Sequence, residues 1–271
     1  MIIDTHSQLF TAEAMASFPE EMARSYQAMF PDMTHPSIAD TLSDMDAAGV
    51  ERAVIVGIDA ETTHRYRVAN DLVARTVAQH PQRLIGFAGA DPHKGALACD
   101  ELTRAVNDLG LRGLKLLPHL AGICPDDRRM YPLYETARAL KIPVLFHTGT
   151  QFHAGTKIKY CQPLFLDSVA VDFPGLQIVM AHFGYPWYHE GLAVVLRNPN
   201  VWFNIAGWSP KRIPEEVIRQ INGPLRYKAL FGSDFPLLKR TRIVAELDQL
   251  PFKDGVKQLL MSENPKRLLG L

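Results

Sequence analysis

The chain has 271 residues, of which 47% are hydrophobic, and its 29 basic and 29 acidic side chains give a formal net charge of zero. A chain of this length buries a substantial core and suits either two small domains or one α/β barrel of roughly 250 residues. The balanced charge gives no electrostatic reason to bind nucleic acid or an acidic membrane surface, and no run of about 18 apolar residues predicts a membrane-spanning helix.

Cysteine usage and the N-terminal sequence bear on the compartment. The three cysteines are sparse and form neither a disulfide scaffold nor a zinc-knuckle spacing. The first residues lack the basic and apolar regions of a signal peptide. The sequence therefore predicts a cytoplasmic protein, and its near-zero net charge favours self-association.

Short apolar runs alternate along the chain with longer amphipathic segments. The runs are rich in Val, Ile, Leu and Phe with little polar alternation, which is typical of parallel strands covered on both faces. Eight strands are predicted, at 1–4, 52–57, 84–88, 111–117, 143–147, 177–182, 201–204 and 229–232. Helices are predicted between and after them, at 37–48, 62–79, 94–109, 131–140, 164–171, 191–197, 214–221, 241–250 and 255–261.

This eightfold alternation predicts an α/β fold in which residues 1–271 form a single (β/α)8 TIM barrel. A doubly wound parallel sheet is the structural alternative. Residues 11–36 form an N-terminal helical insertion after the first strand, with apolar side chains at helical spacing. The insertion either packs on the barrel rim or forms a lid over an active site.

Polar side chains stand at the carboxyl ends of the predicted strands, where barrel enzymes assemble their sites. Imidazole and carboxylate groups among them are ligands suited to a first-row divalent metal. A single strand-end histidine is usually structural, but the joint pattern is harder to explain that way. Asp4, on the strand face opposite to Thr5, is expected to be structural. The candidate site residues are His6 and Gln8 of the first strand, Lys115 of the fourth, His147 of the fifth, His182 of the sixth and Asp234 of the eighth.

Six segments, DTHSQ, GLKLLP, PVLFHTGT, MAHFG, LFGSDFP and the terminal SENPKRLLGL, together resemble the amidohydrolase superfamily. The resemblance is greatest to its amidohydrolase-2 branch, which contains metal-dependent hydrolases and non-oxidative decarboxylases such as aminocarboxymuconate semialdehyde decarboxylase. It implies a TIM barrel with one divalent metal, zinc first and manganese second. The implied ligands are His6, the residue at position 8, His147 and Asp234, and His182 contacts a metal-bound water or the substrate.

The departure from the branch pattern is Gln8, which stands where a second histidine is usual. Three outcomes are open. The amide oxygen of Gln8 ligates the metal weakly, or Gln8 holds water or substrate while His6, His147 and Asp234 bind the metal, or the site works without metal.

The resemblance and the compact length of the chain favour a metal-dependent hydrolase of a small carboxylated or cyclic ester or amide. In this scheme Asp234 is the general base, His182 orients the nucleophile or polarises the carbonyl, and Lys115 provides a positive charge for a carboxylate or an oxyanion. Lys115 has a second interpretation, as a structural lysine buried with a carboxylate partner. The alternative function is a non-oxidative decarboxylase of an aromatic or unsaturated acid. A second alternative is a metal-free lactonase or a non-catalytic ligand-binding barrel.

Neighbouring loops leave further questions open. His119 lies either at the site or on a surface loop, and Cys161 is expected to be an inert thiol. Aromatic residues after the fifth, sixth and seventh strands line the pocket or pack the rim. The expected partner is a small-molecule substrate, with no nucleic acid and no membrane, and a homodimer is expected from the resemblance.

Overall fold

Eight parallel strands form the centre of the computed structural model, which describes residues 1–271. The chain's ten strands are β1 (Ile2–Gln8), β2 (Val50–Val56), β3 (Ile58–Ala60), β4 (Tyr66–Val68), β5 (Leu84–Gly89), β6 (Leu114–Leu116), β7 (Val144–Phe146), β8 (Ile178–Met180), β9 (Val201–Asn204) and β10 (Ala229–Leu230). The central sheet has the order β1-β2-β5-β6-β7-β8-β9-β10 with parallel neighbours, while β3 and β4 form a separate antiparallel hairpin. The predicted TIM barrel is confirmed.

The sheet closes where the segment after β10 meets β1. The backbone N–H of Thr5 donates to the carbonyl of Phe231 at 3.0 Å, and the N–H of Asp234 donates to the carbonyl of His6 at 2.8 Å. The N–H of Gln8 completes the seam by donating to the carbonyl of Phe235 at 2.7 Å. Closure therefore brings residues more than two hundred positions apart to one end of the barrel.

The helices surround the strands in the expected alternation. They are α1 (Glu20–Met29), α2 (Ile38–Ala47), α3 (Glu61–His64), α4 (Asn70–Gln79), α5 (Ala96–Asn107), α6 (Pro118–Ala121), α7 (Tyr131–Ala139), α8 (Phe165–Asp172), α9 (Tyr188–Arg197), α10 (Glu215–Ile221), α11 (Arg240–Leu247), α12 (Val256–Gln258) and α13 (Asn264–Leu269). At α2 the Ser37 side chain accepts from the Asp40 backbone and the Asp40 carboxylate accepts from the Ser37 backbone, so this start could be read from the sequence. None of the helices combines the length and apolarity needed to cross a bilayer.

Two predicted elements differ most from the structure. The first strand continues to Gln8 instead of ending at Asp4, because the barrel seam pairs its second half. The helix predicted at 62–79 is divided into α3, β4 and α4, because Arg65 adopts a left-handed backbone with φ of 52° and the chain then pairs with β3.

Two layers of apolar packing hold the barrel. The larger core lies between the strands and the helices and includes Leu114 and Leu116 of β6. A smaller cluster fills the barrel interior and includes Leu145 of β7. Since successive side chains of a strand alternate between faces, Lys115 and His147 point to the inner side.

Residues 9–36, here called the N-terminal cap, cover the carboxyl end of the barrel. Phe10, Met15 and Tyr26 form a buried cluster against which Phe152 and Leu237 pack, and these last two belong to the loops after β7 and β10. The hydroxyl of Ser25 donates to the carbonyl of Phe152 at 2.6 Å. The insertion therefore packs against the loops that follow the strands, as a lid does, and not only on the outer rim.

Candidate active site

A bulge in β1 separates structural from candidate functional side chains. Asp4 pairs with Ala53 and Ser7 with Ile55, so three steps along β1 match two along β2. The extra residue turns Asp4 and Ser7 to one side, where the Ser7 hydroxyl donates to the Asp4 carboxylate at 2.9 Å. His6 and Gln8 are thereby left together on the other side.

Asp4 has the structural role expected from the sequence. Its carboxylate accepts from the backbone N–H of Ser233 at 2.9 Å and from Nε of Arg240 at 2.8 Å. Both Asp4 and Arg240 are fully buried. This ion pair fixes β1 against the turn that carries Asp234.

Four of the predicted site residues meet around the imidazole of His6. Its Nε2 lies 3.1 Å from Nζ of Lys115, 3.3 Å from Nε2 of Gln8 and 3.6 Å from Oδ1 of Asp234. The Gln8 amide donates to Oδ1 of Asp234 at 2.7 Å. The cluster joins β1, β6 and the end of the barrel sheet, as the strand-end pattern predicts.

The other two predicted residues adjoin this cluster. The ring centroid of His182 lies 5.3 Å from that of His6 and 4.7 Å from that of His147. Nδ1 of His182 donates to the carbonyl of Ala206 at 2.8 Å, which leaves Nε2 as the ring atom with a free lone pair. His147 has no side-chain hydrogen bond at Nε2, although that atom is buried.

Unusual backbone conformations hold the two residues that face each other across this site. His182 and Asp234 have φ values of 59° and 60°, in the left-handed region that side chains with a Cβ rarely adopt. Gly207, itself at φ of 75°, packs directly on them, since a Cβ there would lie 2.8 Å from Nδ1 of His182 and 3.0 Å from Oδ2 of Asp234. Local strain and close packing fix the positions of both side chains.

Burial sets the charges of the site. Desolvation lowers the pKa of Lys115 to about 8, although the Asp234 carboxylate opposes this effect. Desolvation also lowers the pKa values of the His6 and His147 imidazoles well below the usual range of histidine. It lowers the pKa of His182 as well. The imidazoles are therefore neutral at pH 7, whereas Lys115 is mostly a buried cation.

Replacing Lys115 with methionine is expected to stabilise the fold at pH 7 by on the order of 3 kcal/mol. The ordinary lysine pKa of 10.5 falls to about 8 in the folded chain, so the folded state binds fewer protons between these values. The free energy of unfolding that the wild type loses to its buried ammonium is therefore largest below pH 8, and this loss disappears as the pH rises toward 10.5. Urea unfolding of both proteins across this range measures the difference, which should be largest at neutral pH. A variant less stable than the wild type at pH 7 would contradict the buried ammonium.

Beside His147 lies a second polar cluster that the sequence left undecided. His119 Nε2 lies 3.0 Å from Nδ1 of His153, and His119 Nδ1 lies 3.4 Å from Sγ of Cys161. The hydroxyl of Tyr26, from the N-terminal cap, lies 3.3 Å from Nε2 of His153. His119 is 2% exposed, so its placement on a surface loop is wrong. Burial raises the pKa of the Cys161 thiol to about 12, so without a bound cation the thiol stays protonated and inert, as the sequence predicts.

The donor set around His6 suits a divalent cation. It offers the imidazoles of His6 and His147 and the carboxylate of Asp234. The Gln8 amide, whose nitrogen faces His6 and Asp234, would offer its oxygen after turning over. All of these are ligand types that zinc or manganese accepts. Two of these atoms, Gln8 Oε1 and His147 Nε2, are buried without a hydrogen-bond partner, which a bound cation would relieve. The ligand atoms of His6, His147 and Asp234 do not all lie within 4.8 Å of one another, so binding would draw them closer.

Of the aromatic residues considered for the pocket, those after β8 and β9 pack together. The rings of Tyr185 and Trp208 lie 4.2 Å apart, and Trp208 also packs on Phe183. Phe152 packs edge-on against Phe30 of the N-terminal cap at 5.3 Å. These ring contacts show packing near the carboxyl ends of the strands, and the lining of a substrate pocket by the same rings stays a prediction.

Comparison with known proteins places these features in a family. The family model described as amidohydrolase matches residues 3–271. The chain is 28% identical over 166 residues to a gamma-resorcylate decarboxylase from Polaromonas sp. strain JS666, covering 51% of this chain and 50% of the relative. It is 30% identical over 236 residues to a 2-amino-3-carboxymuconate-6-semialdehyde decarboxylase from Dictyostelium discoideum, covering 74% of this chain and 65% of the relative. The matches thus span half to two thirds of these curated relatives.

Solved structures agree on the fold. An uncharacterized TIM-barrel protein from Bordetella bronchiseptica is 26% identical, with a TM-score of 0.81, and the match covers 99% of this chain and 98% of that one. A dihydroxybenzoic acid decarboxylase from Polaromonas sp. JS666, solved with manganese and 2-nitroresorcinol, is 20% identical with a TM-score of 0.72. That match covers 100% of this chain and 97% of the other.

Proposed function

Because the chain belongs to the amidohydrolase-2 branch of the amidohydrolase family, we propose that it is a non-oxidative decarboxylase of a small aromatic or unsaturated carboxylic acid. Both curated relatives reported above are decarboxylases by name. The hydrolase favoured by the sequence becomes the second candidate. The observation that carries the proposal is a buried ammonium, Lys115, and a carboxyl group, Asp234, that both lie against Nε2 of the His6 imidazole.

Substrate binding is assigned to the charge of Lys115. A carboxylate entering the site under the N-terminal cap leaves water, and the buried ammonium replaces part of its hydration. The cap also contributes apolar rings such as Phe10 and Tyr26, which exclude water from the mouth. A planar acid is therefore held by its charge at one end and by apolar contacts along its ring.

The reaction breaks the bond between the substrate carbon and its carboxylate, and carbon dioxide leaves. The electron pair of that bond stays on the carbon, which takes a proton in its place, so no water is consumed. The proton comes from the Asp234 carboxyl group, which takes up a proton from solvent before each turnover. Its Oδ1 already accepts from Gln8, so Oδ2 is the oxygen available to carry the proton. The neutral His182, with a lone pair on Nε2, orients the substrate oxygen next to the reacting carbon.

His6, His147, Asp234 and Gln8 are the residues that would hold a divalent cation, and manganese is the first choice because the relative named above was solved with it. When bound, such a cation supplies positive charge that binds the carboxylate and a neighbouring oxygen of the substrate. Zinc, favoured by the sequence, remains a candidate.

The experiment that tests the proposal determines whether hydrogen or oxygen from the solvent enters the product. Purified protein with manganese is incubated with 2,6-dihydroxybenzoate, with an unsaturated amino acid semialdehyde and with a carboxylated pyrone lactone. The runs are made in deuterated and in oxygen-labelled water. A decarboxylase releases carbon dioxide and places one solvent deuterium on the product carbon. Incorporation of labelled water oxygen without carbon dioxide would reject the proposal in favour of hydrolysis.

A specific observation supports a third candidate, the metal-free lactonase that the sequence also left open. The Gln8 amide and the Lys115 ammonium already provide hydrogen-bond donors for His6 and Asp234. An enzyme of this kind keeps its activity after exhaustive treatment with a chelator, whereas the proposed metal-dependent decarboxylase loses it.

Restoring a histidine at position 8 is expected to tighten metal binding. The Gln8→His variant replaces a neutral amide beside His6 with an imidazole, and manganese affinity should rise by about tenfold or more. Competition with a chelating dye measures the change. Gln82→His, at an exposed glutamine, is the matched control and should bind as the wild type does. Equal affinities for all three proteins would show that position 8 does not face the cation.

A further inference from the structure

Two imidazoles and a thiol come together beside the site, on segments that follow β6 and β7. They are His119 of α6, His147 at the end of β7 and Cys161 in the short helical turn Ile158–Cys161. Their ligand atoms all lie within 4.8 Å of one another. We propose that these three residues form a binding site for a thiophilic divalent cation, zinc in first place, separate from the set around His6 except for the shared His147.

The distances are close to those of a tetrahedral site. Zinc binds imidazole nitrogen at about 2.0–2.1 Å and thiolate sulfur at about 2.3 Å, which places neighbouring ligand atoms about 3.3–3.6 Å apart. Nδ1 of His119 and Sγ of Cys161 are 3.4 Å apart. A small approach of the third group completes the set, and the fourth position stays open to another ligand.

Further side chains orient His119 for this role. Its Nε2 lies 3.0 Å from Nδ1 of His153, and Nε2 of His153 lies 3.3 Å from the hydroxyl of Tyr26. If His119 carries its proton on Nε2, it donates to His153, which in turn donates to Tyr26. The lone pair of His119 Nδ1 then faces Cys161. Partners of this kind fix the tautomer and direction of ligating histidines in metal proteins.

The ligand chemistry separates this cluster from the site around His6. A thiolate selects zinc, cadmium or cobalt over manganese, whereas carboxylate and amide oxygens suit manganese. Nε2 of His147 is buried and has no hydrogen-bond partner, so it is open to either cation. A zinc ion at the cluster would take His147 away from the other set. The inference concerns binding and does not depend on the decarboxylase activity.

The test uses cobalt(II) chloride as the probe on the full chain after removal of bound metal. A cobalt–thiolate bond gives a near-ultraviolet charge-transfer band that imidazole and carboxylate ligands do not give. The wild type should develop this band with one cobalt per chain, and Cys161→Ser should lose it. Cys124→Ser and Cys99→Ser are matched controls at the other two free thiols and should keep it. A Cys161→Ser variant that keeps the band would overturn the proposal.

X-ray absorption of the wild type with one equivalent of zinc gives a measurement that needs no variant. We expect one sulfur neighbour at about 2.3 Å, and a zinc shell of nitrogen and oxygen alone would also overturn the proposal. His153→Leu tests the orienting contacts. It should weaken zinc binding by about 10–100-fold while the sulfur neighbour remains. If a folded His153→Leu variant binds zinc with unchanged affinity, His153 does not orient His119 as a zinc ligand.

Discussion

Asp234→Asn is expected to lower kcat for decarboxylation by about 10²–10⁴-fold. Asparagine has nearly the same shape and tolerates the left-handed backbone found at this position, where φ is 60°. Its amide cannot carry and deliver an acidic proton, so the step that replaces the lost carboxylate with hydrogen has no donor. Initial rates of carbon dioxide release and deuterium incorporation into the product measure the effect.

Two controls separate lost chemistry from lost structure. Asp172→Asn changes a carboxylate that accepts from the hydroxyl of Tyr131 at the protein surface, and it should keep the wild-type rate. Substrate binding to Asp234→Asn, measured by calorimetry with manganese in excess, should persist because Lys115 and the cation-holding residues His6 and His147 are unchanged. A variant within about tenfold of the wild-type kcat would mean that another group protonates the carbon, and the assigned role of Asp234 would be wrong.

The barrel and the convergence of six candidate residues could be predicted because they follow from simple periodicities. Apolar runs mark strands buried on both faces, and each strand of a barrel delivers its last inward side chains to the same end. His6, Lys115 and Asp234 come together for this reason, although 228 positions separate the first from the last. Placement alone gives neither the catalytic roles of these residues nor whether Gln8 ligates a metal, and both stay predictions.

Features set by tertiary contacts could not be predicted in the same way. The bulge in β1 depends on pairing with β2, and a regular strand would have placed Asp4 on the same side as His6. His119 and Cys161 lie in segments outside the strands. The alternation of side chains along a strand therefore could not predict that they lie beside His147. The left-handed turn at Arg65 divides a segment with helical composition, because the residues after it, Tyr66–Val68, pair with β3. In each case a partner outside the segment overrides its local preference.

The loops around the active site, more than the barrel itself, distinguish hydrolysis from decarboxylation. The sequence favoured hydrolysis because the chain is compact, whereas the relatives by name are decarboxylases. In the proposed schemes the same barrel, a divalent cation and the Asp234 carboxyl group would serve either reaction. What the structure adds is a cap whose apolar side chains reach the loops after β7 and β10. A mouth closed in this way favours a reaction that consumes no water.

Arg240→Met is expected to destabilise the protein by about 3–5 kcal/mol, the largest stability effect that the structure indicates. The guanidinium is fully buried and donates to Asp4 at 2.8 Å, to Asp44 at 3.0 Å and to the Ser7 hydroxyl at 2.8 Å. Methionine leaves the buried Asp4 carboxylate without its cation. Urea unfolding measures the loss, and Arg75→Met, which breaks an exposed ion pair with Glu13, should cost about 1 kcal/mol or less.

The double variant Asp4→Asn with Arg240→Met distinguishes a lost ion pair from lost packing. If the large cost of Arg240→Met comes from the uncompensated carboxylate, neutralising Asp4 in the same chain should recover about 1–3 kcal/mol relative to the sum of the single changes. If the cost comes from the stacking of Arg240 on the ring of Phe235, at 4.2 Å, the two changes should simply add. The same pair fixes β1 to the turn at Ser233, next to Asp234. Its loss should therefore lower activity in the fraction that remains folded.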